Sequence, residues 1–434
     1  METSAQKRTR RVPFCGSVAL LWFCGVIWTV SAQAHPESTP PVALTLSECY
    51  QLALQRSETI AIQQERLKET EGRFLQALSG ALPRASFVSS DKRQDGSGGS
   101  AFTLRDVPER RFTFSQPLFG GFKEFAAMAA SRAEHRQRTH DRARAEQLLL
   151  LDVADAFYLL IQQREELGAL EVTRSALLER IEALRAREQL GRSRSSEVAS
   201  AEAQLRRVEA ERERIASLEA TARQLLEFLT GLDRLEAIAG AEEPIPPIEE
   251  ESVSLAKAGA RPDVQAAEEA WQVAKQQVLV TQGAIWPDVD LEGNYYTKRV
   301  GASQDVDWDV TLKVDVPLFQ GGQAAGAVRE AAARSRQAKL QREHARRQAL
   351  LDIRDARARL AAAVNRRVAL EQAVEATERN YRLHVEDYAL NLVSNLDVLQ
   401  TLQELQDVRR DLIGATYDVQ RLSWRLRVAV GEPL

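Results

Sequence analysis

Acidic side chains recur in spaced pairs, Asp152 with Asp155 and Asp352 with Asp355. Two carboxylates three residues apart share one face of a helix and could divide acid and base roles. Both pairs stand in arginine-rich, helix-forming stretches, where ion pairing between helices is the expected use. The five histidines, His35, His135, His140, His344 and His384, are scattered. Only His135 and His140 are near one another, and a spacing of five does not put both on one helical face. There is no His-Glu-x-x-His, no glycine-rich phosphate loop with its lysine and no nucleophile-elbow serine. These absences predict no catalytic residue, no metal ligand set and no cofactor, and the chain is not expected to be an enzyme.

The elements that carry these residues are written twice. Ser115-Gln116-Pro117-Leu118-Phe119-Gly120-Gly121 is echoed by Asp315-Val316-Pro317-Leu318-Phe319-Gln320-Gly321-Gly322. Leu151-Asp152 returns as Leu351-Asp352, Glu197-Val198 as Asp397-Val398, and Gly231 as Gly431. A nearly constant offset over so long a span means duplicated architecture. Upstream, Leu82-Pro83 answers to Trp286-Pro287 with a slightly larger offset, and the extra residues fall in the loop tip Asp95-Gly96-Ser97-Gly98-Gly99-Ser100. The boundaries read as a leader over 1–34, a first repeat over 35–241 with a β-hairpin at 84–119, a proline-rich linker at 242–250, and a second repeat over 251–434 with a β-hairpin at 288–319. Each repeat runs helix, two strands, long helix, turn, helix.

The leader carries Lys7, Arg8, Arg10 and Arg11 before an apolar run from Val18 to Val30 and Ala32-Gln33-Ala34, the order of a secretory signal peptide cleaved after Ala34. A membrane anchor is disfavoured by the short apolar core, and a lipoprotein signal at Cys24 by the bulky Trp22 and Phe23. Cleavage removes four basic residues and Glu2, so the formal charge of −4 becomes −7, which gives nucleic acid no purchase. Cys15 and Cys24 leave with the leader, and Cys49 has no internal partner even in an oxidising compartment.

No proline interrupts the helical composition from Gly121 to about Leu190 or from Gly322 to about Leu390. In the last stretch Leu405, Val408, Leu412, Ala415, Val419, Leu422 and Leu426 step by three and four, a coiled-coil seam that a soluble helical bundle would also show. Between the prolines the period changes to two. Val289, Leu291, Gly293 and Tyr295 alternate with Asp290, Glu292 and Asn294, and Trp308, Val310, Leu312, Val314 and Val316 with Asp309, Thr311, Lys313 and Asp315. Such a sheet suits a barrel wall with lipid outside and water inside, at about 10 residues per strand. The first pair is less regular, with Phe87, Phe102, Phe112 and Phe114 among polar residues, and fits a half-buried soluble hairpin as well. Four strands cannot close a barrel and open edges are not tolerated in lipid, so several chains must share one barrel. Pro83, Pro117, Pro287 and Pro317, with Gly120, Gly121, Gly321 and Gly322, mark the strand–helix junctions at the membrane boundary. Phe112, Phe114, Phe119, Phe122, Trp286 and Phe319 near them fit an interfacial belt or junction packing.

Two tandem copies of strand hairpin plus helical hairpin, each with a Pro-Leu-Phe-x-Gly-Gly-like junction, resemble the TolC family of outer-membrane efflux proteins over essentially the whole mature chain. The resemblance implies a mostly α, α+β membrane protein. It also implies a homotrimer in which each protomer gives four strands to a shared β-barrel and long helices to a periplasmic α-barrel. It further implies an exit duct for drugs, metals, metabolites or proteins, docked to a periplasmic adaptor (membrane fusion protein) and an inner-membrane transporter. The reading from another class is a periplasmic coiled-coil adaptor without a pore, which would usually show one hairpin flanked by β-domains. In the family, function concentrates where the hairpins turn, here Gly191 to Val198 and Tyr388 to Gln400. Asp397 matches a constricting aspartate, which threefold symmetry would turn into a cation-favouring carboxylate ring; it could equally be an N-cap or a solvated helix residue. Tyr388 and Glu197 match the tyrosine and acid of a closing lock. Gln400 stands where relatives place a second aspartate, and Val393 where they place the locking arginine. With that arginine missing, Arg194 or Arg192 is expected to pair with Asp397 or Glu197.

Overall fold

The computed structural model describes residues 43–96, 104–240, 244, 247 and 249–432. The signal-peptide reading, residues 97–103 with Phe102, and most of the 242–247 connector lie outside them.

Thr45 opens helix α1 (Leu46–Arg56) with a capping box to Glu48, and Ser57 caps α2 (Glu58–Ser79). Pro83 then separates α2 from strand β1 (Arg84–Arg93), which precedes β2 (Asp106–Gly120), α3 (Lys123–Gln189) and α4 (Ser195–Thr230). The second run gives α5 (Glu251–Ala256), a 3-10 turn Lys257–Ala260, α6 (Pro262–Gly283), β3 (Asp288–Lys298), β4 (Trp308–Asp315), α7 (Gln323–Ala389) and α8 (Asn395–Val430). Helices α3 and α7 each have 67 residues, rods of roughly 100 Å. None of the described helices is long and apolar enough to cross a membrane.

The strands form one antiparallel sheet in the order β1-β2-β3-β4. Its register sorts side chains into rows that run across all four strands. Phe87, Phe112, Tyr295 and Trp308 make one row, and Ala85, Phe114, Gly293 and Val310 the next on the same face. The intervening row on the other face is Ser86, Thr113, Asn294 and Asp309. There Thr113 Oγ1 donates to Asn294 Oδ1 (2.8 Å), Asn294 Nδ2 to Asp309 Oδ1 (2.9 Å), and the Tyr296 hydroxyl to Asp309 Oδ2 (2.8 Å). The large apolar residues of the first face are exposed, Trp308 at 66%. Sheet amphipathicity thus crosses all four strands in these rows, and ends toward the tip of the first hairpin, where Ser89, Asp91 and Arg110 follow Phe87 and Phe112 on the same face.

The expected hairpin end at 319 is not reached by β4, which stops at Asp315. β2 is paired on both sides and runs to Gly120, whereas β4 is an edge and Pro317 has no N–H to extend it.

Helix α3 is the centre of the packing. Its Leu149, Leu150, Val153, Phe157, Tyr158, Leu160 and Ile161 meet α1, the end of α4 and Tyr417 and Val428 of α8. Cys49 lies in this core, and burial pushes its thiol up to about 11, so it is a small apolar group rather than a reactive one. Leu44 pairs with the chain beyond α4 through Leu44 N–H to Ala237 O (3.1 Å) and Ala239 N–H to Leu44 O (2.9 Å). Helix α7, equal in length to α3, buries only Ala331, Ala349, Ile353, Ala356, Leu360 and Tyr388, and leaves Leu340, Leu351, Val368 and Leu383 exposed.

Candidate functional site

Two places concentrate the sequence-predicted residues: the strand–helix junctions and the hairpin turns. At the first junction Gly121 (φ 64°) and Phe122 (φ 62°) are both left-handed, and at the second Gly321 (φ 59°) and Gly322 (φ 90°). The equivalent pairs are thus 121–122 and 321–322, one residue on from the glycine alignment, and Gly120 is extended strand. A Cβ on Gly121 would lie 2.5 Å from Gly283 O and 2.8 Å from Trp286 Cβ, so the backbone there is pressed against the end of α6. Phe122 holds a conformation that costs a non-glycine residue about 1 kcal/mol. Its ring meets Phe119 edge-on at 5.2 Å. Lys123 Nζ reaches Asp288 Oδ2 (2.8 Å), tying the start of α3 to the start of β3. Around this level Leu118, Phe122, Trp286, Leu318 and Phe319 are exposed, Leu318 at 91%. Pro117 pairs opposite Asp290 beside a register shift in β2.

The hairpin turns are built alike. Gly191 (φ 69°) and Asn391 (φ 60°) occupy matching left-handed positions, followed by Arg194 and Ser394 as the helix N-caps. The caps differ. Ser394 forms a capping box with Asp397: its N–H and Oγ donate to Asp397 Oδ2 (2.8 and 2.7 Å) and its Oγ accepts from Asp397 N–H (3.4 Å). Asp397 is therefore the third residue of α8 and not its N-cap. Those bonds hold its carboxyl below the usual value, the Ser394 hydroxyl first and its backbone N–H second.

Arg194 supplies no side-chain cap. Glu197, the counterpart of Asp397, is consequently bonded to groups other than an N-cap side chain. It accepts from Ser193 Oγ (2.6 Å) and from the Tyr388 hydroxyl (3.2 Å), at the end of α7. Asn395, 1% exposed, donates Nδ2 to Glu197 O (3.3 Å). The expected arginine pairing is not the one formed. Among the described residues the ion pairs include none from Arg192 or Arg194 to Asp397 or Glu197, because both arginines sit on the exposed turn. The cations at Tyr388 are Arg180 and Arg187 of α3, with Cζ atoms 4.0 and 4.9 Å from the ring centroid. Sequence reasoning missed both, and a spacing of seven on one helical face was the available signal. Gln400 is exposed one turn beyond Asp397.

Other polar groups have structural partners. Asp155 pairs with Arg425 Nη2 (2.6 Å) and Asp352 with Arg261 Nη2 (3.0 Å), both between helices. His135 Nδ1 meets Thr70 Oγ1 at 2.9 Å and His384 Nδ1 meets Asn380 O at 3.1 Å. Among the described residues no cluster of His, Cys, Asp or Glu could hold a metal ion.

The fold is thus an antiparallel four-stranded sheet joined through glycine-bearing junctions to two long helical hairpins. Residues 255–432 match the family model described as outer membrane efflux protein. The chain is 23% identical over 384 residues to the outer membrane efflux protein BepC of Brucella suis biovar 1, covering 86% of this chain and 80% of that one. It is 22% identical over 338 residues to the outer membrane protein TolC of Vibrio cholerae, covering 75% and 77%. The crystal structure of the outer membrane protein VceC from Vibrio cholerae superposes with a TM-score of 0.77 at 25% identity, covering 89% of this chain and 96% of that one. Sequence and fold are both similar to those of TolC-like outer membrane factors.

Proposed function

We infer that this chain is the outer-membrane exit duct of a tripartite efflux or type I secretion system, a passive path from periplasm to exterior. The observation that carries the reading is the sheet. One face is an exposed apolar and aromatic surface, the other a hydrogen-bonded polar ladder, and among the described residues both edges are unpaired. Lipid on the first face and water on the second suit the rows from Phe87 and Ser86 toward the helices, while Arg110, Asp91 and Arg93 lie beyond them at the hairpin tip. A pore-free adaptor has no use for an apolar sheet face of that extent.

The free edges β1 and β4 call for further copies, and the bare flank of α7 supports the same need. We take the assembly as a homotrimer on the family's pattern, with two structural repeats, 35–241 and 251–434, per chain. A periplasmic adaptor and an inner-membrane transporter are the proposed partners. The proposed gate lies at the hairpin turns, with Asp397 at the constriction and Glu197, Tyr388, Gln400 and Arg194 around it.

The test is fractionation followed by electrical recording. The protein should sediment with outer membranes, run as a detergent-stable oligomer and conduct ions in planar lipid bilayers. A soluble protein, or a membrane protein that never conducts, would sink the channel reading.

A further inference from the structure

The apolar face of the sheet ends abruptly at a pair of cations. Along β3 that face runs through Val289, Leu291, Gly293 and Tyr295, opposite Val314, Leu312, Val310 and Trp308 of β4, about 20 Å of strand. The apolar band of a membrane barrel is of similar height, about 25 Å. Past Phe87, Phe112 and Tyr295 the next row on the same face is Ser89, Arg110 and Lys298. A register shift brings this about. Plain alternation would put Thr297 after Tyr295 on the apolar face, but the extra residue in β3 sets Lys298 opposite Arg110 instead. Residues directly opposite on neighbouring strands have Cβ atoms about 5 Å apart, where like charges repel unless an anion joins them.

The protein supplies no such anion. At this end of the sheet Arg93 pairs with Asp106 (2.9 Å), and Arg111, on the polar face, pairs with Glu109 (2.6 Å). Among the described residues neither Arg110 nor Lys298 has an ion pair or a side-chain hydrogen bond, and both are exposed. Asp91, further along β1 on their face, pairs with neither.

We propose that Arg110 and Lys298 form a headgroup site for a membrane lipid that carries a phosphomonoester, with its chains laid along Phe87, Phe112, Tyr295 and Trp308. The proposal rests on the channel reading and deepens it by naming a partner for the outer rim of the barrel wall. Charge is one match. A phosphomonoester carries close to two negative charges at neutral pH and three acceptor oxygens, whereas the diester of an ordinary phospholipid carries one charge. Two adjacent cations neutralise the first and exceed the second. A guanidinium grips two phosphate oxygens at once, and the ammonium beside it adds a point charge. Depth is the other match. Lipid chains need apolar surface directly below the phosphate, and Phe112 and Tyr295 stand two and three residues from the cations, with the Phe87 ring 5.0 Å from that of Phe112. A soluble phosphorylated ligand would have no use for that surface.

The experiment counts lipids bound to the purified full-length oligomer in detergent by native mass spectrometry, titrating dioleoyl phosphatidic acid, phosphatidylglycerol or phosphatidylcholine. These present a monoester, a diester and a neutral zwitterion on the same chains. Phosphatidic acid is expected to bind roughly 5-fold more tightly than phosphatidylglycerol, the scale of one further charge met by a basic residue at a membrane surface. Equal affinity for the two overturns the monoester assignment. Arg110→Gln and Lys298→Gln should each weaken phosphatidic acid binding roughly 5-fold, and the double variant should no longer prefer it to phosphatidylcholine. Lys92→Gln removes a charge at the same end of the sheet but on the polar face, opposite Val107, and should change nothing. Inorganic phosphate at matched concentration should leave the lipid in place, and displacement by it would reassign the site to a soluble ligand. Equal binding of phosphatidic acid by the wild type and by an assembled, conducting double variant overturns the site and leaves the channel standing. Absence of conductance in the wild type overturns the channel reading instead. If the double variant fails to assemble, the two single variants decide.

Discussion

At the scale of single residues, the difference between Arg194 and Ser394 at one N-cap decides what the acid three residues later can do. Ser394 occupies the Asp397 carboxylate, and Arg194 leaves Glu197 free to reach Tyr388. Because Asp397 is held below its ordinary 3.8, its contribution to the start of α8 is present above that value. It is lost as pH falls through the depressed one. Hydrogen-exchange protection at the first turn of α8, taken relative to the intrinsic exchange rate at each pH, should therefore be flat from neutral pH to about pH 4 and fall only in stronger acid. Ser394→Ala should lower it at neutral pH, while protection at the start of α4 stays constant. Equal loss in both helices would show that the box is not what holds α8. Asp397, Glu197 and Tyr388 can be picked out of the sequence only through the family resemblance, which places them at the hairpin turns. Arg180 has no such match: its spacing of seven from Arg187 is a weak signal on a long arginine-rich helix, and its partner lies 208 positions away. Phe122 hides for another reason: a left-handed phenylalanine looks like any helix-start aromatic until the backbone is seen.

At the scale of elements, the ends of helices carry the joints. Arg261, 1% exposed, precedes α6 and spans three helices: Nε and Nη2 bind Asp263 (3.0 and 2.6 Å), Nη2 also binds Asp352 of α7, and Nη1 donates to Ala349 O and Ala429 O (3.4 and 3.3 Å). Burial opposes the charge, but the two carboxylates outweigh it and raise the group's proton affinity. Gly431, left-handed at φ 81°, caps α8 directly over this side chain, and a Cβ there would lie 3.0 Å from Arg261 Cγ. Arg56 stands under Gly231 in the same way. Arg261→Ala leaves two acids facing a void and should cost about 3 kcal/mol, the lower part of the range for breaking a buried pair since both acids keep some solvent. Loss of helical circular dichroism on heating the solubilised protein should move to lower temperature, and less so for Arg261→Met with Asp352→Asn. No shift would mean the node is redundant. The helices and strands themselves are legible from proline, glycine and the change of period between them. The node is not, because Asp352 sits in an acid pair that equally suits a surface bridge, and only the fold brings Arg261 beneath it.

At the scale of the whole molecule, the sheet must choose its solvent. The row Phe87-Phe112-Tyr295-Trp308 and the row Ser86-Thr113-Asn294-Asp309 alternate without a break, so each position on β4 has an assigned side. Leu312, paired with Leu291, lies on the apolar face, and its neighbour Thr311, paired with Glu292, on the polar one. An arginine at Leu312 would meet hydrocarbon, at a cost of about 2–4 kcal/mol near the bilayer midplane for every copy in a shared barrel. The same arginine at Thr311 would stand beside Glu292 and face water. Leu312→Arg should therefore reduce the oligomer recovered from outer membranes severalfold, while Thr311→Arg should assemble normally and change conductance or ion preference. The two substitutions add the same charge one residue apart, so general effects on export or folding cancel between them. Equal recovery of both would place neither face in lipid, and the sheet would then have to be covered by protein instead.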